Sequence, residues 1–463
     1  MARVIFIQRI WHEYGGPALI SGVLKRRGHS VELFIGNNPD RFLDKILPRD
    51  IAAFSIMTGE DDWALEVSGK IKRKKNILTV FGGPHPTYFP EIIEHPSVDV
   101  TCCGEGEFAM LDLADSRDKN ADYSNIPNLS VKIQGVVKRN EVRPLIPDLD
   151  QLPFADRALY YKYPLLRNSP MKPFIVSRGC IFSCNFCFNE KLKTIYSGKG
   201  EYVRFRSPKN VVQEIKETES KYGLKYIYFM DDLFVFNKSW LQNFGALYSK
   251  EVKKPFACSA SVKTLNEENI RLLKDIGCKT VSFGVETGNE DSRKKLLNKH
   301  ISNAEIEQVA SLLKKHKLKF ITFNMVGLPG EKARDVLETV KLNIKIRADY
   351  PRCSILTPYP GTRIAEMFKD RLNSGKISSL DQQSKISFNN PEARKLKNLH
   401  YFFQTAVIFP GALSFIKILI SFPPNIVFKI WWLIVYFFII AKSESRNMPQ
   451  TLISSLKTFA HSH

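Results

Sequence analysis

Short apolar runs alternate with amphipathic stretches along residues 1–115. The apolar runs have the length and composition of buried strands, and the stretches between them carry apolar residues at helical spacing. Strands that alternate with helices in this way form a parallel sheet with helices on both faces. The pattern predicts strands at 4–7, 31–35, 52–56, 78–81 and 98–101, with helices such as 17–27 and 62–75 between them.

A second series of strand-then-helix units begins near residue 173, after a stretch rich in Pro, Asp and Tyr. Repeated units of this length predict a barrel or partial barrel, with its active site at the carboxyl ends of the strands. The chain therefore divides into a first domain at 1–135, a linker at 136–172 and a partial (β/α)6 barrel at 173–390. The barrel strands are predicted at 174–177, 226–230, 256–262, 280–285, 320–326 and 353–356.

The region 391–463 is apolar and predicted to be helical. Its uncharged run at 430–441 has 12 residues, fewer than the ~20 that a membrane-spanning helix requires. Trp, Tyr and Lys side chains in this region suit a lipid headgroup boundary, and a helical cap packed on the barrel is an equal alternative. The predicted fold class is α/β, with a doubly wound Rossmann-like domain, a partial barrel and an apolar helical C-terminal region.

Composition and charge narrow the class of protein. With 44% apolar and 25% charged residues, the chain has the composition of an ordinary globular protein. The net charge of +21 is uneven: Lys and Arg against Asp and Glu number 16 to 18 in residues 1–135, 44 to 27 in 136–390 and 8 to 2 in 391–463. No nucleic-acid partner is expected from this distribution.

Cysteine usage points to a metal in a reducing compartment. Eight cysteines are too few for a disulfide framework in 463 residues, and three of them crowd into eight positions. The N-terminal apolar run is too short for a signal peptide. We therefore expect a cytoplasmic protein, peripheral to the inner face of the membrane if the C-terminal region binds lipid.

The crowded cysteines, Cys180, Cys184 and Cys187, form a CxxxCxxC motif directly after the first predicted barrel strand. Three thiolates leave a four-iron cluster one ligand short, so that one iron can bind an exogenous ligand. A structural zinc site is the alternative, but it requires four closed ligands, and no His follows at zinc-finger spacing. The motif favours an iron–sulfur cluster.

From these residues the sequence, over about 1–370, resembles the radical S-adenosylmethionine (SAM) enzymes, specifically their cobalamin-binding branch. Phe186 occupies the usual aromatic position of the cysteine loop, whereas Ile181 replaces the usual proline. The resemblance implies a 4Fe-4S cluster whose open iron is chelated by the amino and carboxylate groups of SAM.

Further motifs of that branch follow the predicted barrel strands in order. Asp231 and Asp232 end the second strand, where the family places an acidic group against the SAM amine; a helix N-cap is the alternative for either residue. Glu286 lies in Gly-Val-Glu-Thr-Gly and is the candidate for another polar contact with SAM. Gly327, in Gly-Leu-Pro-Gly-Glu, and Pro358, in Pro-Tyr-Pro-Gly-Thr, belong to motifs that taken alone are also turn sequences.

The resemblance assigns cobalamin to the first domain, at the turns that follow its strands. The Asp-x-His-x-x-Gly motif that supplies a cobalt ligand in other cobalamin proteins is absent, so the lower axial ligand of cobalt is open. His85 or His12 is a candidate to approach the corrin, but a lone loop histidine more often serves as a hydrogen-bonding residue. The cofactor-binding candidates are Gly82, Gly83, His85, Gly104 and Glu105.

The family's chemistry supplies the functional expectation. The reduced cluster splits SAM into methionine and a 5′-deoxyadenosyl radical, which abstracts hydrogen from an unactivated carbon; in methylating members, the substrate radical takes a methyl group from methylcobalamin, which a second SAM recharges. A small-molecule or lipid-like substrate and an electron donor such as flavodoxin or ferredoxin are the expected partners. The alternatives are a non-methylating cyclase or oxidase of the same branch, and a non-catalytic membrane-associated Fe-S or cobalamin-binding protein. No catalytic side chain is assigned.

Overall fold

A seven-stranded sheet forms the first domain, in the order β2-β1-β3-β4-β5-β6-β7. The computed structural model describes residues 1–75, 77–359, 361–369 and 391–443. Strands β1 to β5 are parallel, as predicted, and β6 and β7 add an antiparallel edge. The strands are β1 (Arg3–Gln8), β2 (Ser30–Ile35), β3 (Ile51–Ser55), β4 (Leu78–Gly82), β5 (Val100–Cys102), β6 (Leu129–Ile133) and β7 (Val136–Arg139).

Helices cover both faces of this sheet, which confirms the doubly wound prediction. Val4 and Val80 face the core beneath the first and last of these helices, whereas Ile5 and Phe81 face the opposite core. This alternation follows from the period of two along a strand. The helices are α1 (Gly15–Arg26), α2 (Asp40–Leu43), α3 (Asp61–Lys75), α4 (Pro84–Tyr88) and α5 (Glu107–Lys119).

The β6–β7 hairpin was not predicted. Gln134 and Gly135 both have positive φ, 49° and 83°, the conformation of a two-residue hairpin turn. The sheet consequently runs to Arg139, four residues past position 135, where the first domain was predicted to end. After it, α6 (Ala158–Tyr161) buries Tyr160 and Tyr161 in the core of the first domain and is followed by α7 (Pro164–Arg167).

The barrel is a six-stranded parallel sheet in the order β15-β14-β13-β12-β11-β8, which confirms the predicted partial barrel. A separate antiparallel ribbon pairs β9 with β10 beside it. The bounds are β8 (Met171–Phe174), β9 (Ser177–Arg178), β10 (Arg204–Phe205), β11 (Tyr226–Phe229), β12 (Phe256–Ser259), β13 (Cys278–Glu286), β14 (Lys319–Val326) and β15 (Tyr350–Ile355).

Helices pack on the outer face of this sheet around one apolar core that includes Phe229, Phe244 and Phe256. Side-chain oxygens of Ser207 and Ser302 cap two of these helices, which satisfies backbone N–H groups that otherwise lack partners. The helices are α8 (Phe188–Ile195), α9 (Pro208–Tyr222), α10 (Lys238–Glu251), α11 (Glu267–Asp275), α12 (Asn303–Lys315), α13 (Ala333–Lys345) and α14 (Arg363–Met367).

Three helices form the described part of the C-terminal region: α15 (Pro391–Ile408), α16 (Leu413–Leu419) and α17 (Ile426–Ser443). Helix α15 packs against α13, β14 and β15, and α16 and α17 pack on α15. Among the helices described, none is long and apolar enough to cross a membrane. The predicted regions at 370–390 and 444–463 lie outside the described residues.

Candidate active site

The three cysteines lie on the loop between β9 and α8 and are half-buried. Gly179, which begins this loop, has a φ of +86°, and a Cβ there would collide with the carbonyl oxygen of Tyr202. Lys193 Nζ donates to the carbonyl of Phe182 at 2.8 Å, and Asn298 Nδ2 donates to that of Ser183 at 2.8 Å. The loop is therefore held by helix α8, which follows it, and by Asn298, which is 115 positions from Ser183 in the sequence.

The thiols have the environment of ligands that need a cation. Burial raises the pKa of Cys180 and raises the pKa of Cys184 to about 11, whereas Asn189 Nδ2 lies 3.6 Å from Cys187 Sγ. Within the described residues, no three His, Cys, Asp or Glu side chains are grouped to hold a single metal ion. Three thiols on one loop, lacking a fourth, are the donor set of a four-iron cluster with one open iron.

A cavity of about 650 Å³ opens inside the barrel beside this loop. Cys180 and Cys184 lie at its wall, and acidic, basic and hydroxyl side chains line the rest. This mixture can bind a zwitterionic ligand such as SAM. Its other polar lining residues are Ser183, Asp231, Asp232, Ser259, Ser261, Lys263, Ser282, Glu286, Asn298, Lys299 and His300.

Asp231 and Asp232 both line the cavity but have different surroundings. Asp231 is buried, and its Oδ1 accepts hydrogen bonds from Val176 N at 2.9 Å and from Ser177 N and Oγ at 2.6 Å each. Burial raises the pKa of Asp231 to about 6, although these donors oppose the rise. Asp232 is exposed to the cavity and accepts from Asn189 Nδ2 at 3.1 Å. Neither residue caps a helix, because α10 begins after Asn237.

Glu286 lies at the carboxyl end of β13 and is buried at the cavity wall. Its Oε1 is 2.7 Å from Lys299 Nζ. The residue has a φ of +65°, a strained conformation for a side chain other than glycine that surrounding contacts must hold. Arg293 supplies such a contact, since its Nε donates to the carbonyl of Val285 at 3.0 Å.

Gly327 and Pro358 follow β14 and β15, but neither is among the described residues that line the barrel cavity. Gly327 has a φ of +87°, and its N–H donates to Glu331 Oε2 at 2.6 Å. Pro358 is buried beside Tyr359, which packs against Phe188. The structure therefore places both residues in turns that support the site.

A second cavity, of about 500 Å³, lies between the carboxyl edge of the first sheet and the barrel. Gly82, Gly83, Gly104 and Glu105 line it, as the sequence predicts for a cofactor of the first domain. At Gly83, a Cβ would approach the backbone oxygen of Ile56 to 3.0 Å. Backbone exposed at glycine turns gives a bulky ring close access to the sheet edge.

The structure does not bring His85 to this cavity. Its ring is buried, stacks on Phe89 with centroids 4.5 Å apart, and has Nδ1 3.2 Å from Thr58 Oγ1. Burial lowers the pKa of His85. His12, the other candidate, is also absent from the described lining and packs against Tyr14. Both histidines pack against aromatic rings in this structure, and neither lines the described part of the cavity.

Glu105 joins the two domains through ion pairs. Its Oε1 is 2.7 Å from Arg178 Nη1 and 2.8 Å from Arg204 Nη2. Arg178 Nη2 also lies 2.5 Å from Glu107. Burial by itself would raise the pKa of Glu105, but the two guanidinium groups hold that pKa below its usual range.

The two cavities meet at the end of β11. Met230, Asp231 and Asp232 line both of them. A ligand at the cysteine loop and a ligand at the first sheet would therefore face a common wall.

Sequence comparisons identify the two domains. The model of the B12 binding domain matches residues 5–114, and that of the Radical SAM superfamily matches residues 174–342. The uncharacterized methyltransferase PH0819 of Pyrococcus horikoshii is 31% identical over 399 residues, covering 81% of this chain and 84% of that protein. The chain belongs to the B12-binding radical SAM enzyme family.

The chain is also similar to a second curated enzyme and, in fold, to a solved structure. The anaerobic magnesium-protoporphyrin IX monomethyl ester cyclase of Rubrivivax gelatinosus is 24% identical over 403 residues, covering 80% of this chain and 70% of that enzyme. The structure of the cobalamin-dependent SAM radical enzyme OxsB, with aqua-cobalamin and SAM bound, matches all of this chain and 76% of its own with a TM-score of 0.68 and 15% identity. The cofactors of this radical SAM enzyme are a 4Fe-4S cluster, SAM and cobalamin.

Three charged residues that pair with predicted site residues were not among the sequence-based candidates. Arg178 lies two residues before the first cysteine of the motif, so its sequence position alone could have suggested a role beside the loop. Lys299 and Arg204 give no such signal. Their partners, Glu286 and Glu105, are 13 and 99 positions away and come into contact only through the fold.

Proposed function

We propose that this radical SAM enzyme methylates an unactivated carbon with cobalamin as the methyl carrier. When bound, the cluster with SAM supplies a carbon radical and cobalamin supplies the methyl group, which is chemistry that no side chain provides. The observation that carries the proposal is the common wall formed by Met230, Asp231 and Asp232. Because these residues line both cavities, a methyl donor in one cavity would lie next to a substrate carbon in the other, and such proximity is the protein's main contribution to the reaction.

The proposed roles of the side chains follow from their surroundings. Cys180, Cys184 and Cys187 bind the cluster, and their loop is held from two sides. Asp232 and Glu286 present carboxylates to the barrel cavity, where an ammonium group of SAM is the matching charge. Asp231 orients the strand that leads into the cysteine loop. The second cavity, at Gly82, Gly83, Gly104 and Glu105, receives cobalamin.

The proposed substrate is lipid-like, and the proposed location is the inner face of the membrane. Support comes from Phe323, which lines the barrel cavity and packs on the cluster of Ile321, Tyr350 and Ile439. Ile439 belongs to the apolar helix α17, so the wall of the cavity is continuous with the C-terminal region. A flavodoxin or ferredoxin is the proposed electron donor.

A labelled-methyl experiment tests methylation against its main alternative. Anaerobically reconstituted holoenzyme receives SAM with a CD3 group, a reductant and a total lipid extract from native cells, and the products are analysed by mass spectrometry. Methylation predicts a CD3-bearing product together with equal amounts of 5′-deoxyadenosine and S-adenosylhomocysteine. A modified product without CD3, formed with 5′-deoxyadenosine alone, would instead establish cyclisation or oxidation, the reaction class that the name of the Rubrivivax relative indicates.

A further inference from the structure

Helix α17 has an apolar face turned toward solvent. Val427, Ile430, Trp431, Ile434 and Phe438 are exposed, Val427 at 66% and Ile434 at 58%. Their spacing places them on one side of the helix, along about 17 Å of its length. The buried side of the same helix carries Trp432 and Ile439. We refer to the five exposed residues as the α17 stripe.

The α17 stripe belongs to a wider apolar surface. Phe415 and Ile418 of α16 are 62% and 60% exposed, while Ile416 and Ile420 pack inward against the α15 core. Eleven of the twenty-one exposed large hydrophobic side chains of the described residues fall within 408–438. Scattered exposed apolar residues are ordinary, but a contiguous concentration marks an interaction surface.

The charge of this region identifies the occupant. Residues 393–443 contain six Lys and Arg and no Asp or Glu. Lys442 lies over the Phe438 ring at 4.2 Å, which places a cation at the end of the stripe. A second copy of the chain would bring like charges together across a two-fold interface, whereas an anionic bilayer matches both the cations and the apolar stripe.

We propose that the α17 stripe and the outer side of α16 seat this enzyme on an anionic lipid bilayer. Trp431, which donates its Nε1 to Thr405 at 2.9 Å, is anchored to α15 while part of its ring remains exposed. The opposite side of α17 contributes Ile439 to the cluster behind Phe323 of the barrel cavity. Among the described helices, only α17 would therefore lie between the bilayer and this side of the barrel cavity. This position would allow a lipid-like substrate to reach the barrel from the membrane. The inference about the substrate rests on the proposed function, whereas the inference about membrane binding does not.

Vesicle binding by the full-length holoenzyme tests the proposal. The probes are vesicles of phosphatidylcholine alone and of phosphatidylcholine with phosphatidylglycerol. The stripe variant Ile430→Gln/Ile434→Gln/Phe438→Gln is compared with the control variant Leu47→Gln/Ile133→Gln/Val136→Gln, whose residues are also exposed, apolar side chains. We expect wild type and control to sediment with the anionic vesicles, and the stripe variant to bind them at least about tenfold more weakly.

Two further measurements, 5′-deoxyadenosine formation and the oligomeric state in solution, distinguish failure of the docking proposal from failure of the proposed function. Substrate-independent formation of 5′-deoxyadenosine should be equal in wild type and stripe variant, because the stripe does not line either cavity. If the wild-type holoenzyme forms no 5′-deoxyadenosine, the proposed function is contradicted, but the proposal that the stripe binds vesicles is not affected. Negligible binding of wild type to anionic vesicles, or a dimer in solution that the stripe variant converts to monomer, would overturn the docking proposal.

Discussion

Asp231 and Asp232, at the end of β11, have different roles because one is buried against the backbone and the other is exposed to the cavity. Asp231 uses one carboxylate oxygen for three donors on residues 176 and 177, so it fixes the backbone that leads into the cysteine loop. Asp232 has one neutral donor, Asn189, and is open to the cavity. An exposed carboxylate with spare acceptor capacity is the better partner for an ammonium group.

This division predicts different results for two isosteric changes. Asp232→Asn removes a negative charge from the cavity and keeps a side chain that can bond to Asn189, so we expect SAM to bind about tenfold more weakly with little change in stability. Asp231→Asn replaces one oxygen by a donor beside the buried loop, so we expect a lower thermal midpoint. Isothermal titration of SAM and thermal unfolding measure the two effects; equal SAM affinity for wild type and Asp232→Asn would contradict the assignment.

A cluster-ligand change tests the cysteine motif. Cys184→Ala leaves two thiols on the loop, too few to retain a four-iron cluster. We expect the anaerobically reconstituted wild-type chain to bind about four irons and the variant to form no 5′-deoxyadenosine. Cys103→Ala is the matched control, because Cys103 is a half-buried thiol outside the motif. SAM cleavage by Cys184→Ala at the wild-type rate would show that the cluster lies elsewhere.

At the scale of elements, periodicity predicts the interior strands well and their ends less well. The first barrel strand was expected at 174–177 but occupies Met171–Phe174. The backbone N–H groups of Val176 and Ser177 donate to Asp231 instead of continuing the strand. A side chain 54 or 55 positions away decides where the strand ends, and a local pattern does not contain that information.

Two features at the surface, the edge strand β7 and the packing of the C-terminal helices, were harder to predict because exposed residues follow no strict apolar pattern. Strand β7 is mostly exposed and lacks the apolar alternation of a buried strand; only Gly135 signalled its turn. The alternatives for the C-terminal region were a barrel cap and a lipid-binding surface. In the structure, α15 packs on the barrel as a cap would, whereas α16 and α17 keep apolar residues exposed.

The turn after β14 predicts a pH effect on stability. Glu331 accepts from the N–H groups of Gly327 and Leu328, and its Oε1 is buried without a partner among the described residues. Burial raises the pKa of Glu331 to about 8 from the ordinary 4.5. Because the folded state holds this proton more tightly than the unfolded state, its contribution to the free energy of unfolding is largest below pH 4.5 and is lost as pH rises to about 8.

The change Glu331→Gln should remove this dependence. Relative to wild type, we expect the variant to gain roughly 2 to 3 kcal/mol in the free energy of unfolding between pH 6 and pH 9. Urea unfolding at the two pH values measures the difference. Glu338→Gln, an exposed position on the following helix, is the control. A constant difference between wild type and Glu331→Gln across this range would show that Glu331 is ionised throughout.

At the scale of the whole molecule, the two domains meet through buried charges as well as through the cavities. Arg157 pairs with Glu13 of the first domain at 2.8 Å and with Glu214 of the barrel at 3.1 Å. Glu105 pairs with Arg178 and Arg204 of the ribbon β9–β10. The sequence predicted both folds from their repeats and placed Glu105 near a cofactor, but ion pairs between domains depend on how the domains dock.

Arg178 connects the interface between the two domains to the cysteine loop. Its guanidinium binds Glu105 and Glu107 of the first domain, and two residues later the chain reaches Cys180. We expect Arg178→Gln to lower the free energy of unfolding by about 2 kcal/mol, because it leaves two largely buried carboxylates short of a partner. It should also alter the electron paramagnetic resonance spectrum of the reduced, SAM-bound cluster, because the start of its loop loses an anchor to the cobalamin domain.

The matched control is Arg139→Gln, which breaks an exposed ion pair with Glu94 within the first domain. Exposed pairs contribute about 0 to 1 kcal/mol, so this variant should keep the wild-type spectrum and nearly the wild-type stability. Thermal unfolding and the cluster spectrum, each recorded with and without bound cobalamin, separate positioning from simple destabilisation. If Arg178→Gln lowers the thermal midpoint but leaves the spectrum and its response to cobalamin unchanged, the ion pair only joins the domains and does not position the cluster loop.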